Sequence, residues 1–283
     1  MQKKLPLRRR GYIGTMRALM YLSAGLTAAL VLFLIGYVLL KGVPNISWEL
    51  LSTAPSYLEE RIGILPDILN TLYLVMATIL FVLPLGVCAA IYLNEYASNK
   101  KLVAAIEYAA ETLSGIPSII YGLFGMLFFV TYLKWKYSLL AGGLTLSIMI
   151  LPLIMRTTEE ALLAVPASYR EASFGLGAGR LRTVFRVVLP SAIPGILAGV
   201  ILAIGRIVGE TAALIYTAGT VAQVPPTLLS SGRTLAVHMY LLSSEGLNTN
   251  QAYATAVVLL ILVVLINGLS SLVSRKLSKG KQV

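Results

Sequence analysis

"SAIPGILAGVILAIGRIVGETAALIYTAG", residues 191–219, decides how the chain is read. Its Ile, Leu, Val, Ala and Gly content is that of a membrane span, because about 20 apolar residues rising about 1.5 Å each cross roughly 30 Å of hydrocarbon. It nevertheless holds Arg206 and Glu210. A guanidinium at the middle of a span costs about 2.5–3.5 kcal/mol on insertion scales, so its retention calls for a wet pathway or a structural ion pair.

The same apolar signal recurs along the chain. Of 283 residues, 57% are hydrophobic and only 12% are charged, the composition of a polytopic, all-α membrane protein. Uncharged runs at Leu19–Leu40, Ile68–Leu93, Thr112–Leu133, Leu139–Met155 and Ala252–Val273 join Ser191–Gly219 to give six predicted spans. The first follows a basic stretch, "MQKKLPLRRRGYIGTMR", but its 22 residues are too many for a signal-peptide core and predict a retained anchor. With the N-terminus in the cytoplasm, 17 of the 23 Lys and Arg residues lie inside, 5 outside and Arg206 within a span. The positive-inside rule therefore predicts that both termini are cytoplasmic. This bias accounts for the net charge of +11 without nucleic-acid binding, since the basic residues form no extended soluble face. The single cysteine, Cys88, falls in a span and the single histidine, His238, in a predicted exterior loop. So few soft ligands argue against a metal site, and both are read as structural.

Three regions follow: residues 1–66 hold the N-terminus, first span and exterior loop, 67–274 form a five-span core, and 275–283 are a basic tail. The exterior loop Lys41–Asp67 predicts a short interfacial helix around Trp48 and Glu49. Within the core, Pro84 with Gly86, Gly115 with Pro117, Gly142 with Gly143, and Pro194 are candidate breaks or close-packing points. Breaks at membrane depth are tolerated only where protein or a wet cavity satisfies the freed backbone groups. Gly195 with Gly199, and Gly205 with Gly209, have the four-residue spacing that lets helices approach closely, within the bundle or at a subunit interface. Glu107, Glu111, Arg156, Glu159 and Glu160 fall near the cytoplasmic boundary, where anchoring or local pairing is expected. No internal repeat is visible, which disfavours a proton-coupled secondary transporter built from two repeats in one chain.

The connection Arg156–Pro190 contains "SYREASFGLGAGRLRTVFRVVLP", residues 168–190. Ser168 followed by Glu171 predicts a capping box and a helix starting near Tyr169. Gly175, Gly177 and Gly179 then interrupt it, and Val184, Val187 and Val188 alternate with Arg180, Arg182 and Arg186 in a second amphipathic piece. The expectation is a helix, turn, helix unit projecting into the cytoplasm. "GLGAGR" lacks the third glycine of a dinucleotide loop, and no strand precedes it. The sequence holds no phosphate loop ending in Gly-Lys-Ser/Thr, no HExxH and no GxSxG.

Glu171, Ala172, Ser173, Gly177, then nine residues, Val187, one residue, Leu189 and Pro190 closely resemble the EAA loop of ABC importer permeases, with Ser173 and Val187 standing where Ala and Ile are usual. The stretches "PLGVCAAIYLNEYA", "GIPSIIYGLFG", "GETAALIYTAG" and "LAVHMYLLSSEGLNTNQAYATA" look like the A-type permeases of bacterial phosphate-specific importers, which often carry Pro where Ala213 stands. The resemblance covers roughly Asp67 to Val273. It implies a type I ABC importer permease fold, a bacterial inner-membrane location and a coupling helix at Glu171–Gly177 that docks on a separate ATPase. The implied partners are a paralogous second permease, two ATPase subunits that bind ATP and Mg, and an extracytoplasmic phosphate-binding protein. This chain itself would hold no cofactor or metal and would not be an enzyme.

Phosphate also suits the residues themselves, because the planar fork of Arg206 can donate two parallel hydrogen bonds to neighbouring oxygens. Glu210, one turn later, is the expected resting counter-ion, and Thr211 adds a hydroxyl to the candidate pathway. Sulfate or molybdate is the alternative cargo.

Overall fold

A computed structural model of the protein describes residues 7–56, 61–246 and 248–279; these are helices and connections, with one isolated bridge between Ser56 and Arg61. Helix α1 (Leu7–Gly42) is followed by α2 (Trp48–Ser52), the expected interfacial turn, whose start is capped by the Ser47 hydroxyl accepting from the Leu50 N–H at 3.0 Å. Helix α3 (Leu65–Ile91) runs on into a π turn, Tyr92–Tyr96. Helices α4 (Lys100–Ser114) and α5 (Ser118–Gly125, continued by π turns to Tyr132) form a broken pair, and α6 (Leu139–Leu163) returns through the bundle. Then come α7 (Ala167–Gly175), α8 (Arg180–Thr183), a π turn at Val184–Val188, α9 (Leu189–Val208), α10 (Ala212–Ile215), α11 (Leu235–Glu245) and α12 (Thr249–Lys279). Five helical stretches are long and apolar enough to span a membrane, and the bent α4–α5 pair makes a sixth. Residues 280–283 of the expected basic tail lie outside the described residues, and 275–279 continue α12.

Two predicted spans change shape. Thr112–Leu133 is not one helix: α4 and α5 meet at 98° across Gly115–Pro117. Proline lacks an N–H and disfavours helical geometry in the residue before it. The Leu113 carbonyl beside the break accepts the Tyr121 hydroxyl at 2.7 Å, so protein satisfies a group that lipid cannot. Pro84 and Pro194, by contrast, sit inside continuous helices.

The span predicted at Ser191–Gly219 is displaced. Its helix begins at Arg180 and ends at Val208, a continuous stretch of 29 residues, so Arg206 occupies the last turn rather than the middle. Gly209 and Thr211 are poor helix formers, and after them the chain starts a new short helix, α10.

The core is the packing of α3, α6 and α9 through Leu74, Val82, Leu146, Met149, Ile150, Ile154, Val200, Ala203 and Ile207. Gly195 and Gly199 serve this internal packing: a methyl at Gly195 would lie 2.6 Å from the Ala161 side chain, and one at Gly199 would strike Thr157. The second glycine pair differs. A methyl at Gly205 would meet nothing within 4 Å, and one at Gly209 would meet only the Gly205 carbonyl. Among the described residues nothing packs on that face of α9. Helix α1 stands apart, touching α12 near its end, where Gly42 packs against Tyr253 and Val257; its Leu22, Leu26 and Phe33 are exposed, as suits a helix facing lipid.

The broken pair reaches the core through glycines. A methyl at Gly122 would sit 2.8 Å from the Ala213 Cα, and one at Gly125 would strike Thr145, so α5 can lie directly on α10. Gly122→Val should therefore lower stability by about 1–3 kcal/mol through overpacking, read as a lower Tm in detergent, whereas Gly205→Ala, which meets no neighbour and favours the helix, should hold or raise Tm. Equal melting of the two variants would mean that the α5–α10 contact is not tightly packed.

Candidate functional site

The projecting unit is shorter than expected. Arg156 still belongs to α6 and residues 180–190 already belong to the fifth span, leaving α7 and its flanking turns outside the bundle. The capping box does not form, because α7 starts at Ala167 with Pro166 at its N-cap and no side chain capping it, which places Ser168 inside the helix. At its other end the Ala178 N–H donates to the Ser173 carbonyl at 3.1 Å and the Gly177 N–H to the Phe174 carbonyl at 2.9 Å, with Gly177 at φ +80°. This is a Schellman cap, and only glycine adopts its left-handed position at little cost. Ser173, the departure from alanine, uses its hydroxyl: it lies 2.8 Å from the Thr183 hydroxyl and ties α7 to α8.

Glu171 and Ala172 are exposed, and Phe174 and Leu176 beside them are large apolar side chains with no cover from this chain. Leu189 and Pro190 begin α9, with the proline in the first turn, where its missing N–H is tolerated. Arg156 lies 3.5 Å from Glu111 and 3.4 Å from Glu160, the local pairing expected at the cytoplasmic boundary.

At the end of α9 the expected Arg206–Glu210 ion pair is absent among the described residues. Glu210 is buried, and its Oε1 accepts the Ala213 N–H at 3.1 Å, starting α10. The end of α9 at Val208 is the reason, since residues four apart share a face only while the helix continues. Arg206 is half-buried and makes no hydrogen bond or ion pair among the described residues; its charge acts on Tyr121. Thr211 is half-buried too, and its hydroxyl donates weakly to the Gly209 carbonyl at 3.4 Å.

A further cluster, on the predicted exterior side, escaped the sequence reading. Arg233 donates from Nε to Asp67 Oδ1 at 2.9 Å and from Nη2 to Oδ2 at 3.2 Å, with both side chains buried. Asn70 Nδ2 donates to the carbonyls of Gln223 and Arg233 at 2.9 and 3.0 Å, and the Leu235 N–H donates to the Thr71 hydroxyl at 3.0 Å. Together they fasten the segment after α10 to the start of α3. His238 is not in a loop; it is buried in α11, with Nδ1 3.7 Å from Asp67 Oδ2. Burial, and after it the charge of Arg233, push its imidazole from 6.5 down to about 3. It is neutral at ordinary pH, so the Asp67 approach is a dipolar contact and not an ion pair. An aspartate opening a long apolar run was the one sequence signal available.

Residues 82–279 match the family model described as "Binding-protein-dependent transport system inner membrane component". The chain belongs to this family. It is an ABC importer permease and a multi-pass membrane protein, with homologues named as phosphate transport permeases. It is 37% identical over 239 residues to the probable ABC transporter permease protein YqgI of Bacillus subtilis, covering 80% of this chain and 81% of that one. It is 43% identical over 165 residues to the phosphate transport system permease protein PstA 2 of Mycobacterium bovis, covering 58% and 54%. Against PstA of Pasteurella multocida the identity is 37%, with 63% of each chain covered. Among solved structures, a permease of a bacterial alginate ABC transporter in complex with an alginate-bound periplasmic protein superposes with a TM-score of 0.67 at 17% identity, covering 94% of this chain and 98% of that one. The methionine transporter MetNI gives 0.62 at 24%, covering 76% and 94%. These likenesses carry the fold, that of type I importer permeases.

Two outcomes follow for the exterior cluster. Asp67→Asn leaves Arg233 buried and unpaired and should cost about 3–5 kcal/mol, while Asp67→Leu with Arg233→Met should recover most of it; Tm in detergent reads both. A folded-state pKa below the unfolded value means that the unfolded chain takes up a proton near pH 6.5 and the native chain not until about 3. The His238 contribution to stability is thus present above 6.5 and is lost as pH falls through that window. His238→Gln should flatten that part of the Tm–pH curve; an unchanged slope would show that other groups set it.

Proposed function

We propose that this chain is a permease subunit of an ATP-driven phosphate importer. The observation that carries the reading is an unpaired guanidinium, Arg206, on the face of α9 that this chain leaves uncovered beside Gly205 and Gly209. A charge kept unpaired at membrane depth is tolerable where it meets water or an anion, and the glycines leave room for a partner surface to close the path around it. The relatives named as phosphate transport permeases support phosphate as that anion.

In this reading the partner surface is a paralogous second permease, and phosphate arrives from an extracytoplasmic binding protein on the side of the Asp67–Arg233 cluster. Both termini and α7 face the cytoplasm. There the exposed Glu171, Phe174 and Leu176 seat on one of two ATPase subunits, which bind ATP and Mg and perform the hydrolysis. Arg206 holds phosphate through its bidentate fork during passage, which a point-like ammonium cannot reproduce. Thr211 supplies a hydroxyl at the same level. Glu210 shapes the path by starting α10 and leaves the arginine to the substrate.

Uptake of labelled phosphate by the reconstituted complex tests this. Arg206→Ala should reduce uptake at least about tenfold, since hydrogen bonds to charged groups are worth about 1.5–3 kcal/mol, with assembly and ATP turnover retained. Arg206→Lys should recover little. Glu210→Gln should be mild, because the amide oxygen still accepts from Ala213. Normal uptake by a joint Arg206→Ala, Glu210→Ala variant would remove Arg206 from the path, and ATP-dependent uptake of labelled sulfate or molybdate by a complex that takes up no labelled phosphate would replace the cargo.

A further inference from the structure

Arg170 lies in α7, immediately before Glu171, and turns inward. Its Nε and Nη2 donate to Glu95 Oε1 at 3.1 and 2.6 Å, its Nη1 to the Val165 carbonyl at 3.0 Å and its Nη2 also to the Leu162 carbonyl at 3.0 Å. One side chain thus joins three elements: α7, the π turn that ends α3, and the carbonyl end of α6. The last carbonyls of a helix have no partner within it and carry partial negative charge, so the guanidinium sits among acceptors on every side. Both side chains are largely buried, with 20% and 10% exposed. Asn94 Nδ2 also donates to Glu95 Oε1, at 3.3 Å.

The next residue of the turn receives the far end of the same unit. The Arg180 guanidinium lies 5.6 Å from the centre of the Tyr96 ring, a cation–π distance. Adjacent residues of one π turn therefore hold both sides of the α7 segment. Turns of this kind are rare and gather at functional positions; here the widened turn presents Glu95 to the interior, where it is 8% exposed. The covalent route from α7 to the spans runs through Ala164–Pro166 on one side and the glycine-rich turn 175–179 on the other. Neither connection is continuous helix, and the second is closed by its Schellman bonds and the Ser173–Thr183 contact without reaching α3 or α6. A planar fork fixed by four hydrogen bonds is directional, and it cannot slide without breaking several at once.

We propose that Glu95 and Arg170 are the positioning pair that transmits movement of α7 to α3 and α6, with the Tyr92–Tyr96 turn as the receiving element. This rests on the importer reading for the source of the movement. In it α7 and the inner ends of α3 and α6 move as one body when the ATPase closes, and the stroke reaches the spans instead of being absorbed by the flanking turns.

The test uses the assembled complex with its ATPase, in a Cys88→Ser background. Spin labels on Tyr169→Cys and Tyr92→Cys, both at exposed positions, report the distance from α7 to the turn that ends α3 with and without ATP and vanadate. With the pair intact the distance distribution should stay narrow and unchanged between the two states; with Arg170→Gln or Glu95→Gln it should broaden or shift with nucleotide. Phosphate transported per ATP hydrolysed should fall at least fivefold in both variants, and Arg170→Lys, which keeps the charge, should restore part of it. A purely structural role predicts a different result: uptake and ATP turnover fall in parallel, their ratio is kept and the distance stays fixed, and this would overturn the proposal. Should Arg170→Gln fail to assemble, Glu95→Gln, which keeps an acceptor oxygen in place, decides alone. The spin-label distance needs no cargo. A wild-type complex that hydrolyses ATP without moving phosphate would therefore sink the cargo assignment and leave the pair to be judged on distance.

Discussion

Every backbone amide and carbonyl at membrane depth must find a partner inside the protein, and this constraint decides where the chain bends. At Gly115–Pro117 the bend is possible because Tyr121 reaches the Leu113 carbonyl. At Gly209 it is possible because Glu210 supplies an acceptor to the Ala213 N–H. The two breaks face each other, since α5 rests on α10 through Gly122 and Ala213. The second has a chemical consequence: a carboxylate spent on a backbone N–H is not available to Arg206, and the charge that looked like half of an ion pair stands alone.

Helix α3 links the two ends of the molecule. Its first turn carries Asp67, paired with Arg233, and the turn that ends it carries Glu95, paired with Arg170. Each is a buried carboxylate held by an arginine from a segment outside the spans, one from the stretch between α10 and α11, the other from α7. Buried pairs of this kind add little net stability, but they are expensive to break from one side and so fix geometry. A continuous helix with both ends fastened in this way can act as a strut. On the proposed reading it connects the ATPase-facing helix to the segment that leads from Arg206 to the exterior.

The number and order of the spans and a short helix ahead of Gly177 were legible because they depend on composition and on a motif with fixed spacing. Gly177 was singled out by that motif, and its positive φ supplies the physical reason. What sequence could not give were features set by chain path. The four-residue spacing of Arg206 and Glu210 implied a shared face, and the end of α9 at Val208 removed it. Ser168 and Glu171 fitted a capping box, and Pro166 started the helix before either could act. Glu95 with Arg170 and Asp67 with Arg233 are 75 and 166 residues apart, and nothing local in either member announces its partner. His238 looked like a loop residue because its neighbours are mixed in polarity, whereas burial against Asp67 is a tertiary fact.

The uncovered face of α9 brings these threads together. Gly195 and Gly199 are used up against Ala161 and Thr157, whereas the same spacing repeated at Gly205 and Gly209 packs against no other helix among the described residues. Small residues let a second backbone approach closely, and in doing so they would seal lipid away from the unpaired Arg206 beside them. A guanidinium that faced lipid would carry an insertion penalty, while one enclosed between two subunits in a wet path would not. On the proposed reading the glycine pair and the arginine belong together: the glycines admit the partner, and the partner gives the charge a setting in which an anion, not a carboxylate of its own chain, is its counter-ion.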